Sequence, residues 1–151
     1  MVTTATHAHE VVTRVVDPEI PVLTIEDLGV LRGVDQVGET VVVTITPTYS
    51  GCPAMGQIED DITRALNRNG YTDVRIDVVY QPAWTTEWMS EEARSKLENF
   101  GIAPPTAPPG IRCPKCRVGE SRLIAQFGST ACKALMVCSA CGDPFDYFKE
   151  H

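Results

Sequence analysis

Two Cys-x-x-Cys pairs stand near the end of the chain, Cys113-Pro-Lys-Cys116 and Cys138-Ser-Ala-Cys141, with 21 residues between them. Each pair can turn two thiolates toward one point. Together they supply the four sulfur ligands that Zn²⁺ takes in a closed tetrahedral site. The spacing predicts a zinc ribbon, in which one structural metal supplies the stability that a module of about 40 residues does not get from its core. The same four thiolates are also a donor set for an iron–sulfur cluster. Gly119 and Gly142, after the two knuckles, are expected to make the tight turns. A fifth cysteine, Cys132, lies between the knuckles in Phe127-Gly-Ser-Thr-Ala-Cys-Lys133. Two readings of it stand: a small apolar residue buried on a ribbon strand, or an extra thiol displayed at the ribbon tip with Lys133 lowering its pKa.

The remaining cysteine, Cys52, sits between Gly51 and Pro53. Proline is favoured at the first helical position, so Cys52 falls at the N-cap of a helix predicted over 53–69. Unpaired N–H groups and the helix dipole there favour an anion. A thiol so placed is a better thiolate, hence a metal or cluster ligand or a nucleophile. The opposing reading is a buried structural cysteine, because free cysteine is among the most buried residue types. Asp17, Glu19, Glu26 and Asp27 occupy loops, where acids are commonly solvated or capping groups. His7 and His9 are two apart and do not share a helix face, so both read as surface residues. Trp84 and Trp88 read as packing or partner-contact groups. The chain has no Gly-rich phosphate loop, no nucleophile elbow and no HExxH. No Cys–His dyad is readable, which counts against a thiol enzyme built on Cys52.

The elements that must position these residues follow from periodicity. Val11, Val12, Val15 and Val16 recur at helical spacing and predict a helix from about His7 to Val16, closed by Asp17-Pro18. An extended loop, Pro18-Glu-Ile-Pro21, is expected next. Strands are predicted near Leu28–Val34 and Glu39–Thr46 with a turn at Asp35–Gly38, and a third at Val74–Tyr80. Met55, Ile58, Ile62, Ala65 and Leu66 form the apolar face of the 53–69 helix, which Asn69-Gly70 ends. Ser90 caps a last helix running to about Asn99. The expected fold class is α+β: a small mixed sheet packed against helices, followed by a small all-β ribbon.

Gly101–Gly110 holds four prolines and reads as a semi-rigid spacer. The expected organisation is therefore an α+β domain over 1–100, a Pro-rich linker over 101–110 and a zinc ribbon over 111–151. Charge divides in the same way, with a balance of −9 over residues 1–109 and +2 over 110–151. Zinc and four thiolates bring the second part to about zero. The net charge of −7 argues against binding by phosphate neutralisation, so neither nucleic acid nor transcription machinery is the expected partner. No apolar run approaches the ~20 residues a membrane span needs. The first ten residues carry no secretory pattern, so a cytoplasmic protein is expected.

Three motifs occur in a recognisable order: Asp17-Pro-Glu-Ile-Pro21, Asp27-Leu-Gly29 and Thr46-Pro-Thr-Tyr-Ser-Gly-Cys-Pro53. Over about residues 7–80 they resemble the SufT-like iron–sulfur cluster assembly domain. The ribbon adds Phe127-Gly-Ser-Thr-Ala-Cys-Lys-Ala134 and Pro144-Phe-Asp-Tyr-Phe148. With it, nearly the whole chain resembles an accessory-subunit family of bacterial phenylacetyl-CoA epoxidase. The resemblance implies a helper in maturing iron–sulfur or other iron proteins rather than a catalyst. It implies that Cys52 binds or passes on iron or a cluster transiently, with Asp17, Glu19 and Asp27 lining the same region. It also implies epoxidase components as partners. Of these the reductase with its [2Fe–2S] centre is the first choice of client, and the di-iron oxygenase the second.

Overall fold

The computed structural model describes residues 4–48, 54–105, 111–128, 130 and 132–149. The chain divides into two compact units, Met1–Trp84 and Thr85–His151.

In the first unit, α1 (Thr4–Val12) is followed by the short strands β1 (Val16–Asp17) and β2 (Ile20–Thr24), then α2 (Ile25–Leu28). Next come β3 (Leu31–Val37), β4 (Thr40–Ile45), α3 (Met55–Arg68) and β5 (Val74–Val78). β3 and β4 form an antiparallel hairpin, and β5 adds parallel to β4 after the α3 crossover. Alternation along β4 sends Val41, Val43 and Ile45 inward, where all three are fully buried. The face of α3 that carries Ile58, Ile62 and Leu66 is buried as well, with Ala8 and Val12 of α1. Burying each Ile or Leu is worth about 1.5–3 kcal/mol, so this layer of helices on a mixed sheet is held by its own apolar core.

β3 runs on through Val37 where a turn is expected from Asp35, and three further features depart from the sequence reading. α1 stops at Val12 instead of Val16, and Val16 opens the strand β1. The β-branched Val15-Val16 pair favours a strand, and the carbonyl of Val15 accepts from the N–H of Ile25 at 2.9 Å. Pro18 to Pro21, expected as loop, instead joins the β1–β2 hairpin: Pro21 lies exposed on a two-stranded edge, where a missing N–H costs little. The third feature is α2, for which no helical period exists. It is set by a capping box in which the Thr24 hydroxyl accepts from the N–H of Asp27 at 3.0 Å and the Asp27 carboxylate accepts from the N–H of Thr24 at 3.1 Å. Gly29, in the left-handed conformation at φ 78°, ends it.

The second unit opens with a 3₁₀ turn (Thr86–Trp88) and α4 (Glu91–Phe100), then β6 (Ile102–Ala103), β7 (Ser121–Ala125), β8 (Lys133–Cys138) and β9 (Pro144–Phe148). The Ser90 hydroxyl caps α4 by accepting from the N–H of Ala93 at 3.0 Å. The sheet order is β6–β9–β8–β7, with β6 parallel to β9 and the rest antiparallel. Its core gathers Ala103, Met136, Phe145 and Tyr147 around the buried sulfurs of Cys113 and Cys138. The Pro-rich stretch thus begins inside this unit. Gly101 caps α4 at φ 95°, and Ile102 and Ala103, apolar and with free N–H groups, pair with Asp146 and Tyr147 before the prolines start. Residues 106–110 lie outside the described residues. Among the described residues, no helix is long and apolar enough to cross a membrane.

Candidate metal centre

The two knuckles are built alike. In the first, the N–H of Arg117 donates to the carbonyl of Cys113 at 2.8 Å, and the N–H of Cys113 donates to the carbonyl of Val118 at 3.0 Å. In the second, Gly142 donates to Cys138 at 3.0 Å and Cys138 to Asp143 at 2.9 Å. The residue after each second cysteine is left-handed, Arg117 at φ 66° and Gly142 at φ 78°. Gly142 was expected there. In the first knuckle the turn falls on Arg117 and not on Gly119, at a cost of about 1–2 kcal/mol for a side chain in that region.

These turns bring the sulfurs of Cys113, Cys116, Cys138 and Cys141 within 4.8 Å of one another. Cys113 and Cys141 are 3.8 Å apart and Cys116 and Cys138 3.5 Å apart. A tetrahedron of Zn–S bonds of about 2.3 Å has edges of about 3.8 Å, so the four residues fit zinc as they stand. Their proton affinities point the same way. The N–H of Cys141, then that of Ala140, draws the Cys138 thiol down to about 6, against desolvation. Cys141 accepts a lowering hydrogen bond from the N–H of Asp143, yet desolvation and the neighbouring thiols push it up to about 12. Cys116 is likewise lowered by the N–H of Val118 but raised overall by desolvation and by Cys138 and Cys113. One thiolate forms readily and its neighbours then resist ionising, so full ionisation of the cluster needs a cation at its centre. With four protein ligands the site is closed, and bound zinc supplies folding stability without redox chemistry.

Cys132 does not join the cluster. It is 4% exposed, with its sulfur 3.0 Å from the Thr130 hydroxyl, and Lys133 beside it is buried too. Of the two readings of this residue the buried one matches, although Cys132 lies in the turn directly before β8 and not on a strand. Cys52 lies outside the described residues. The acids near it in the motif order hold backbone. Asp17 is buried, and its carboxylate accepts from the N–H of Glu19 at 2.7 Å and of Ile20 at 3.3 Å. Asp27 is the capping-box residue of α2. Trp84 is buried, donating from Nε1 to the carbonyl of Leu28 at 2.9 Å. The hydroxyl of Thr46, on a residue 1% exposed, has no hydrogen-bond partner among the described residues.

Sequence reasoning missed the charges around the first knuckle. Arg112 and Arg117 flank it and converge on Glu98 of α4. The signal was present in the arginines placed directly before Cys113 and directly after Cys116.

The fold and the thiol cluster define a small α+β domain followed by a four-cysteine zinc ribbon. Two sequence families match in that order, "Iron-sulfur cluster assembly protein" over residues 9–78 and "PaaD zinc beta ribbon domain" over residues 102–149. A relative from Escherichia coli (strain K12), which carries the name of a 1,2-phenylacetyl-CoA epoxidase subunit, is 49% identical, covering 93% of this chain and 92% of its own. An Fe–S protein maturation auxiliary factor from Porphyromonas gingivalis is 40% identical, over 55% of this chain and 80% of its own. Among solved structures, a domain of unknown function (DUF59) from Bacillus anthracis superposes with a TM-score of 0.57 and 31% identity, over 62% of this chain and 90% of that one. The chain belongs to the PaaD family of phenylacetyl-CoA epoxidase subunits.

Proposed function

We propose that this chain is an accessory factor of the phenylacetyl-CoA epoxidase system in aerobic phenylacetate degradation. It assists assembly of an iron–sulfur or di-iron cofactor in another component and catalyses no reaction of its own. The observation that carries this reading is the near end-to-end likeness to the Escherichia coli epoxidase subunit, combined with an iron–sulfur assembly family over residues 9–78. The second unit fits a supporting part. Its four thiolates close a structural site and leave no coordination position for a substrate. Four-cysteine zinc and a passing iron or cluster therefore belong to different units.

In this reading Cys52 is the thiol that holds the transient iron or cluster. Gly51 lets a client approach, and Asp17, Glu19 and Asp27 shape the same end of the unit. The protein works in the cytoplasm. The reductase is the client in preference to the di-iron oxygenase, because its centre is the iron–sulfur one. The test is a strain lacking this chain, from which reductase and oxygenase are purified separately and assayed for iron, sulfide and activity. The expected result is a reductase short of iron and sulfide, with an oxygenase that is normal. A depleted oxygenase beside a normal reductase would move the client. Normal content and activity in both would contradict the maturation role.

A further inference from the structure

Glu98 of α4 is only 13% exposed, and arginines from both flanks of the first knuckle hold its carboxylate. Arg112, directly before Cys113, donates from Nη2 to Oε1 at 3.2 Å and from Nε to Oε2 at 3.4 Å. Arg117, directly after Cys116, pairs through Nη1 with the same Oε1. A carboxylate this poorly solvated is stable only when cations and hydrogen bonds satisfy it, and the forked guanidinium does both. Arg117 does so from a left-handed backbone. Gly142 fills the equivalent position in the second knuckle, where glycine adopts that conformation freely. Among the described residues, Arg117 is the one non-glycine residue with positive φ.

The helix on the other side of the clamp is itself anchored. The Arg94 guanidinium donates from Nη2 to the carbonyl of Thr86 at 3.0 Å and from Nη1 to the carbonyl of Pro105. Gly101 leads α4 directly into β6, which pairs with β9 of the ribbon sheet. The clamp therefore ties the first knuckle to a helix whose C-terminal end, close to Glu98, is fixed to the sheet. The charge pair that bridges the two knuckles, Lys115 with Asp143, is different in kind. Its side chains are 73% and 40% exposed, so water screens it.

We propose that Glu98 is a positioning residue of the metal centre: gripped by Arg112 and Arg117, it holds Cys113 and Cys116 in their ligating geometry and slows loss of the metal. It acts as outer partners of metal ligands do, by restricting the ligands' motion. Nothing in this inference depends on the maturation role, since the metal concerned is the structural one.

The experiment uses the zinc-loaded full chain and follows zinc release to a coloured chelator, at a temperature well below unfolding. Glu98→Gln should release zinc about 10- to 100-fold faster than wild type. Arg117→Gly should do the same, since glycine keeps the left-handed backbone and only the clamp is lost. Lys115→Ala should release zinc at the wild-type rate. The Co²⁺-substituted chain separates positioning from ordinary support: in Glu98→Gln the tetrahedral ligand-field absorption of the thiolate site should shift, which a loss of stability alone would not cause. If Glu98→Gln does not fold, Arg117→Gly decides. Wild-type release from either folded variant overturns the proposal. Equal acceleration by Lys115→Ala, or a wild-type Co²⁺ spectrum in Glu98→Gln, also overturns it.

Discussion

The two units are stabilised by different means. Ile20, Leu23, Ile25, Leu28, Ile45, Ile58, Ile62 and Leu66 are large side chains buried almost completely in the first unit, and in the second only Leu97 and Phe148 match them among the described residues. The second unit instead places two cysteine sulfurs in its core and gathers four at one point. Hydrophobic burial scales with the area removed from water, and so small a core leaves little surplus over chain entropy. A metal closes the gap, because forming the site and folding the ribbon are one event. A unit that stands on its own apolar core can leave a thiol free for other chemistry, whereas a unit that depends on its thiols cannot.

The largest effect expected from this contrast is on the metal. Replacing Cys116 with Ser should abolish zinc binding and unfold the ribbon, since structural zinc in such sites contributes on the order of 10 kcal/mol. Metal analysis together with amide resonances should show the zinc and the ribbon signals lost and those of the first unit kept. Full zinc retention would refute the assignment of ligands. The converse is a core truncation in the first unit. Ile62→Ala should cost about 2–5 kcal/mol there by denaturant unfolding, with zinc content unchanged. Loss of zinc in that variant would mean that the units are not independent. The smallest effect is at a cap: Ser90→Ala should cost the second unit about 1 kcal/mol. Zinc release from it should stay at the wild-type rate, in contrast to Glu98→Gln on the same helix.

What was legible in the sequence follows from which signals are local. The four ligands were readable because a Cys-x-x-Cys turn is a complete local device, and the fold brings the two turns together within 4.8 Å. α3 was readable from the periodic burial of Ile58, Ile62 and Leu66, and α4 from its Ser90 cap. The β1–β2 hairpin was not, because Pro18 and Pro21 mimic a loop and the pairing depends on the Asp17 carboxylate organising the turn. α2, four residues long, is too short to show a helical period, and only its Thr24–Asp27 box marks it. The left-handed residue of the first knuckle was assigned to Gly119 by residue type, but the backbone turn comes directly after Cys116 and falls on Arg117. Arg117 is explained only by Glu98, a partner 19 positions away that no local pattern reveals.

The central claim is that the first unit performs the maturation work through Cys52 while the second is held by zinc. The most direct measurement is iron and sulfide per reductase, purified from a strain lacking this chain and complemented with wild type, Cys52→Ala or Cys132→Ala. Full loading is predicted with wild type and with Cys132→Ala. With Cys52→Ala the prediction is an under-loaded reductase, although that variant folds and carries its zinc. Full loading of the reductase by Cys52→Ala would contradict the claim.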